Sequence, residues 1–291
     1  NYLCPPSTGK LKPDAFLDLY SQDSNILLVA EGCRTRNSKR MMVRGLSGSL
    51  DAVLIASLNR IIHHSHLVVC QDREEAAYLL NDLQNLLPGR EVLLFPMSYR
   101  KPYDLEAVEN ANVLQRAEVL DRLQAHPESQ LIVSYPEALS EKVITRTGMV
   151  KNTFTVKIGD ELDPDFLSDF LNNYDFEKTE MVQEAGQYAI RGGIIDVFSF
   201  GHELPVRIEL FGREVESIRS FDPGSQLSVQ NMDSVRLVPD VQTRLLQEAR
   251  QSLTEYLPKH SVIWFRDLGL TAGVLDKSYE FAGNNLSLIH I

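Results

Sequence analysis

GLSGSLDAVLIASLNRIIHHSHLVVC, residues 45–70, sets out a glycine turn, an amphipathic helix and a short apolar strand in that order. Ser49 is placed to cap a helix running through Ile62, with Leu50, Val53, Leu54, Ser57, Leu58 and Ile61 along one face. The apolar run 67–70 then has the pattern of a strand covered on both sides. The alternation continues outward. Asp72 is placed to cap a helix over 74–87, whose Ala76, Leu79, Leu80, Leu83 and Leu87 form a stripe that Pro88-Gly89 stops. Residues 92–95 read as the next strand, 105–123 as a long helix and 131–133 as another strand, with Pro136 opening a helical turn. Residues 41–43 are a further strand candidate. Buried strands alternating with helices predict an α/β fold, a mainly parallel sheet with the architecture of a P-loop NTPase-like domain.

The turn itself stands where such a domain places GxxxxGK[ST], and its chemistry is missing. Gly45 and Gly48 remain, while Leu50, Asp51 and Ala52 occupy the positions of the final glycine, the lysine and the Ser/Thr. The lysine would meet the β- and γ-phosphates and the hydroxyl would ligate magnesium. Asp51 instead sets a negative charge against another. The loop is therefore degenerate: catalytic, cofactor-binding and metal sites are expected to be absent, and ATP turnover is disfavoured.

After about residue 137 the composition changes. A short helix is expected over 162–171, begun by Asp163 and Pro164, and strands over 188–200, 206–211 and 215–221 are separated by glycine or proline turns. Within 206–211, Val206, Ile208 and Leu210 alternate with Arg207, Glu209 and Phe211, giving one apolar and one mixed face. Beyond Pro223-Gly224 the α/β pattern returns, with a helix expected over 241–257 and strands over 262–265 and 286–289. The expected division is 1–137 as the first part of the α/β domain, 138–226 as an inserted, smaller α+β module, and 227–291 as the second part. Insertion explains how the last strands would find partners on the opening sheet.

The net charge of −11 argues against broad binding to a phosphate backbone. Arg34, Arg36, Lys39, Arg40 and Arg44 still form a local basic segment, which with Tyr99 and Tyr103 supports an alternative nucleic-acid-binding reading. Cys4, Cys33 and Cys70 match neither a disulfide framework nor a zinc motif, and Cys70 reads as a buried small hydrophobe. His63, His64 and His66 read as a polar surface cluster without a zinc signature. No apolar stretch reaches the roughly 20 residues that span a bilayer and no signal peptide opens the chain, so a cytoplasmic setting without membrane partners is expected. A chain that opens on Asn1 and closes on LSLIHI reads as a piece cut from something longer.

In YAIRGGIIDVF, residues 188–198, Tyr188, Arg191 and Phe198 combine aromatic area with a forked donor, a pairing suited to the centre of a protein interface. Gly192 and Gly193 are expected to bend the backbone beside Arg191 and carry its side chain out of the regular ladder. The other reading of the same residues is core aromatics plus a surface pair between Arg191 and Glu184 or Glu209.

Taken in order, GLSGS (45–49), LLFP (93–96), PYD (102–104), QRAEVLDRL (115–123), KIGDELD (157–163), YAIRGGIIDVF (188–198) and LPVRIELFGREVESIRSFDPGSQ (204–226) resemble the N-terminal, UvrB-like region of bacterial transcription-repair coupling factor (Mfd). The resemblance covers most of 45–239. It implies a non-catalytic repair adaptor whose inserted module recruits UvrA, at the front of a larger ATP-driven DNA translocase. RNA polymerase and DNA would be engaged by later domains of that parent, and ATP and magnesium only by its motor, beyond Ile291. By the same resemblance Arg191 matches a UvrA-contacting arginine and Phe198 is an apolar anchor beside it. A second basic contact falls near 176–178, where Glu177 stands at the closest match and Lys178 beside it, and Arg207 and Arg213 add positive points. A weak nucleotide-binding domain remains the second alternative.

Overall fold

The computed structural model describes residues 12–34, 40–98, 110–240 and 250–285. In chain order the elements begin with α1 (Pro13–Ser21), α2 (Ser24–Arg34), α3 (Leu50–Ile61), β1 (His66–Val69), α4 (Arg73–Leu86), β2 (Leu93–Phe95), α5 (Asn110–Ala125), β3 (Leu131–Ser134), α6 (Pro136–Ser140), β4 (Val143–Ile144) and α7 (Arg146–Lys151). They continue with β5 (Phe154–Lys157), α8 (Pro164–Asn173), β6 (Glu177–Lys178), β7 (Gln187–Arg191), β8 (Ile194–Val197), β9 (Val206–Phe211), β10 (Glu214–Phe221), β11 (Ser228–Met232) and β12 (Ser234–Leu237). The chain closes with β13 (Arg250–Gln251), α9 (Leu253–Tyr256), β14 (Val262–Phe265) and α10 (Leu268–Asn285). The fold is α/β with both parallel and antiparallel sheets. Two compact units arise, one from described residues within Asn1–Leu94, His126–Glu137 and Leu257–Ile291, the other from those within Phe95–Ala125 and Ala138–Tyr256.

The second unit holds a six-stranded sheet in the order β11-β10-β9-β8-β7-β6, antiparallel throughout except where β6 runs parallel to β7. Period-two alternation decides its two faces. Tyr188, Ile195, Val197, Val206, Ile208, Val215 and Ile218 point to one side and share a core with Leu167 and Leu171 of α8. Each such aliphatic side chain contributes roughly 1.5–3 kcal/mol when fully buried. The start of α8 follows the sequence: Pro164 stands in its first turn and the Asp163 carboxylate accepts the Asp165 amide at 2.9 Å. Arg116, in the QRAEVLDRL block, is buried, lies 4.1 Å over the Phe95 ring and donates to the Pro96 carbonyl at 2.7 Å.

Three expected elements differ in this unit. The strand expected over 188–200 is two strands, β7 and β8. The expected 105–123 helix is α5, ending at Ala125, with 105–109 outside the described residues. Where a helix was expected over 241–257, the described part contains β13, paired antiparallel with β4, and the single turn α9. Burial of Leu253, Tyr256 and Leu257 is achieved there by one turn, which mimics helical spacing over a short window.

The first unit carries a four-stranded sheet in the order β14-β1-β3-β2. His66 of β1 lies opposite Val262 and Leu131, and both pairings are parallel. Every residue of β1 and β3 is buried, the apolar stretches 67–69 and 131–133 together with the polar His66 and Ser134 at their ends. Cys70, just past β1, is fully buried, and burial together with nearby Glu75 and Asp72 pushes its thiol up to about 12, so it behaves as a small hydrophobe. Leu54, Leu58 and Ile62 pack with Ile26 and Ala30 of α2 and with Trp264 of β14. Asp72 caps α4 by accepting the Glu75 amide at 2.8 Å, whereas Ser49 precedes α3 without a side-chain cap. Residues 41–43 form no strand: their side chains are exposed, and among the described residues no ladder partner holds them. The strand expected over 286–289 lies outside the described residues. Among those residues no helix is long and apolar enough to cross a membrane.

His66 corrects the expectation of a surface histidine cluster, for it is fully buried. The Trp264 indole N–H donates to its Nδ1 at 3.2 Å, and the rings stack at a centroid distance of 6.1 Å. The proton of the neutral ring therefore sits on Nε2, and adding a second would place an N–H against the indole donor. Burial first, then the positive charges of Arg90 and His64, lower its pKa to about 4. Because the folded value lies below the ordinary 6.5, the unfolded chain binds the proton first on acidification. Stability is fully present above pH 6.5 and falls toward pH 4, by up to about 3 kcal/mol from this group. Urea melts between pH 7.5 and 4.5 should show a shallower loss in His66→Gln than in wild type; parallel pH slopes would remove His66 as the source.

Candidate functional site

Two places concentrate chemistry, one in each unit. In the first unit the glycine turn has the backbone that its sequence suggested: Gly45 and Gly48 have φ of +85° and +59°, the left-handed region that favours glycine. The helix that follows carries no phosphate-handling side chain. Leu50 and Ala52 offer neither amine nor hydroxyl, and the Asp51 carboxylate accepts the Ala52 amide at 2.8 Å. A first-turn amide that an anion would use is thereby occupied from within. The same carboxylate pairs with Arg266, which also pairs with Glu75 of α4. Arg266 immediately follows β14, and its amide donates to the Val69 carbonyl at 3.1 Å. One guanidinium thus ties the closing strand to the starts of α3 and α4.

The second place is the polar face of the six-stranded sheet. Gly192-Gly193 form a two-residue turn between β7 and β8, with Gly192 at φ +62°. This corrects the expected bend out of the ladder: Arg191 stays in register opposite Ile194. Gly193 is needed for a different reason. A methyl group on it would come within 2.8 Å of the Leu210 carbonyl oxygen, and the Leu210 amide donates to the Gly193 carbonyl at 2.7 Å.

The register sets Asp196 of β8 opposite both Ala189 and Arg207. Its side chain has 0% exposure, and it is charge-paired twice. Arg207 grips it with both arms, Nε to Oδ1 at 2.7 Å and Nη2 to Oδ2 at 2.9 Å, while stacking 4.6 Å above Phe221. Those bonds to Asp196 raise the Arg207 pKa further. Arg191 reaches the same Oδ2 and also donates Nη1 to the Glu180 carbonyl at 2.6 Å. Its side chain is 44% exposed, against 16% for Arg207. Beside them Glu209 is bonded by Arg219 and Ser217, and the Arg219 guanidinium, then the Ser217 hydroxyl, hold its carboxyl below the usual range.

The sequence-derived candidates therefore separate. Arg191 and Arg207 are brought together on one carboxylate. The Arg191 pair with Glu184 or Glu209 does not form, since Asp196 takes that place and Glu209 belongs to Arg219. Tyr188 is buried on the apolar face, its hydroxyl bonded to Ser168 and Asn172, each at 2.9 Å. Phe198 is buried with Val182, Ala189 and Phe221. Both aromatics hold strands from within and present no open ring. Lys178 is exposed on β6 beside exposed Glu177, and Arg213 pairs with Asp163. Of the basic segment, Arg34 donates to the Ile61 carbonyl at 2.9 Å and Arg40 and Arg44 are exposed. Arg36, Lys39, Tyr99 and Tyr103 lie outside the described residues. Asp196 was missed. Its signal was a lone acid inside the strand run IIDVF, with an arginine at a polar-face position of a later strand.

A family model described as the UvrB interaction domain matches residues 154–242. Over 254 residues the chain is 29% identical to a transcription-repair-coupling factor of Bacillus subtilis, an alignment covering 86% of this chain and 21% of that protein. The corresponding protein of Myxococcus xanthus is 32% identical over 221 residues, 74% of this chain and 18% of its own length. That of Haemophilus influenzae is 28% identical over 203 residues, 70% of this chain and 18% of its length. The chain is homologous to the N-terminal region of bacterial transcription-repair coupling factor. It spans about a fifth of the length of these relatives. Within the matched 154–242 lie β7 to β10 and every member of the Asp196 cluster, so the polar face belongs to the region described as the interaction domain.

Two substitutions probe the two places. Gly193→Ala should lower stability by about 1–3 kcal/mol, because the methyl meets backbone that cannot swing aside; an unchanged denaturation midpoint would show that the hairpin relaxes freely. Arg266→Ala should cost about 1–2 kcal/mol, less than a fully buried pair because its head is partly solvated. Thermal melts of Arg266→Ala and Asp51→Asn, alone and combined, would show a combined loss smaller than the sum if the pair acts as one unit.

Proposed function

We propose that this chain is the non-catalytic, UvrB-like front of a transcription-repair coupling factor and that it recruits UvrA through the module at 138–226, which supplies β6 to β10 of the six-stranded sheet. The observation that carries this reading is Arg191, a guanidinium held at the hairpin edge by two bonds inside the matched interaction domain. With Asp196 already gripped on both oxygens by Arg207, the trio carries one net positive charge, and among the described residues the bonds of Arg191 are made by its two terminal nitrogens. A charge-assisted contact from such a fork to a carboxylate or carbonyl on UvrA supplies direction as well as attraction. Tyr188 supports the docking face from the apolar side of the sheet, Phe198 packs in the small apolar patch beside the cluster, and exposed Lys178 on β6 is the secondary contact.

The stretch 45–52 is read as a degenerate phosphate loop, kept for its turn and converted to an internal tie through Asp51 and Arg266. ATP, magnesium, DNA and RNA polymerase are then the business of the parent's other domains. Residues 1–137 and 227–291 are read as the two parts of the α/β scaffold, with β11 (Ser228–Met232) given over to the six-stranded sheet.

Titrating UvrA against the 291-residue chain, without DNA or nucleotide, tests the reading. Wild type should bind, and Arg191→Ala should weaken binding about tenfold or more, the scale of one charged hydrogen bond. The melting curve should hardly move, because Arg207 still neutralises Asp196. Equal affinities would remove Arg191 from the docking face, and no binding by wild type would remove the recruitment role.

A further inference from the structure

Asp196 has no solvent exposure, lies on the side of β8 opposite the apolar core, and receives three guanidinium donors. Two come from Arg207, whose side chain is itself clamped between this carboxylate and the Phe221 ring and reaches the Gln226 side chain at 3.4 Å. The third comes from Arg191. The asymmetry matters. Arg207 satisfies the carboxylate bidentately and is nearly covered, while Arg191 touches one oxygen and leaves almost half of its side chain in water.

Two cations and one anion leave one net positive charge, and the geometry delivers it at the exposed edge. A free arginine has many rotamers and loses that freedom when it docks. Here the Glu180 carbonyl and the Asp196 carboxylate fix both terminal nitrogens beforehand, so that loss is incurred on folding. We infer that Asp196, braced by Arg207, is a positioning residue that aims Arg191 at the partner, which makes the Arg191–Asp196–Arg207 cluster one functional unit rather than three separate charges. This rests on the UvrA reading above.

The test compares Arg191→Lys, Asp196→Asn, Arg207→Lys and the double variant Arg191→Ala with Asp196→Asn, each titrated with UvrA in the intact chain and each checked by circular dichroism and thermal melting. Lysine keeps the charge and cannot span both acceptors, so Arg191→Lys should lose affinity nearly as far as Arg191→Ala, about tenfold. Asp196→Asn should weaken binding several-fold in the wild-type background and have no further effect once Arg191 is alanine. If Asp196→Asn does not fold, Arg207→Lys carries the same comparison, because it loosens the two-armed grip while retaining a cation. Full affinity in Arg191→Lys, or losses that simply add in the double variant, would overturn the positioning role while leaving recruitment intact. Absence of binding by wild type would instead overturn the recruitment reading on which the inference rests.

Discussion

A carboxylate shut away from water persists in its charged form only where cations reach it, and that constraint organises the polar face of the six-stranded sheet. The alternation of β8 spends Ile195 and Val197 on the core, so Asp196 must face the other way. There the register brings Arg207 directly opposite, and β7 supplies Arg191 from the other side. Val182, Ala189, Phe198 and Phe221 form a small apolar patch on this side and help to keep water away. The hairpin glycines complete the arrangement, because close backbone approach at Gly193 keeps the turn tight enough for Arg191 to remain in the ladder beside the acid.

The first unit shows a different resolution of a similar problem. A glycine turn followed by a helix start is geometry suited to anions, yet here it faces a carboxylate of its own chain. Asp51 takes the nearby amide, and Arg266 arrives from the far end of the sequence to balance both Asp51 and Glu75. Charge that would repel a phosphate serves instead to fasten β14 beside β1. Stacking of His66 on Trp264 reinforces the same seam.

Much of the fold was legible in local pattern. The buried apolar runs 67–69 and 131–133, the caps at Asp72 and Asp163, and the two-faced alternation of 206–211 each reflect interactions within a few residues, which composition and spacing encode directly. The ordered motifs likewise pointed to the coupling-factor relationship. Less was legible at the site. Arg191 stood out as a forked donor, but Tyr188 and Phe198 turned out to be interior, since an aromatic in a strand reads alike whether its face is covered or open. The misread turn at 192–193 has a comparable origin: two glycines permit both a bulge and a hairpin, and only the strand partners choose between them.

By itself, then, the sequence determined the α/β alternation, the loss of lysine and hydroxyl from the glycine loop, and the polar row of the central strands, because each depends on residue type and periodicity alone. Tertiary structure decided which charges meet. Asp51 with Arg266, and Asp196 with Arg207 and Arg191, are pairings set by strand register and by chain return across 215, 11 and 5 positions, and no local pattern specifies which cation a buried carboxylate will find.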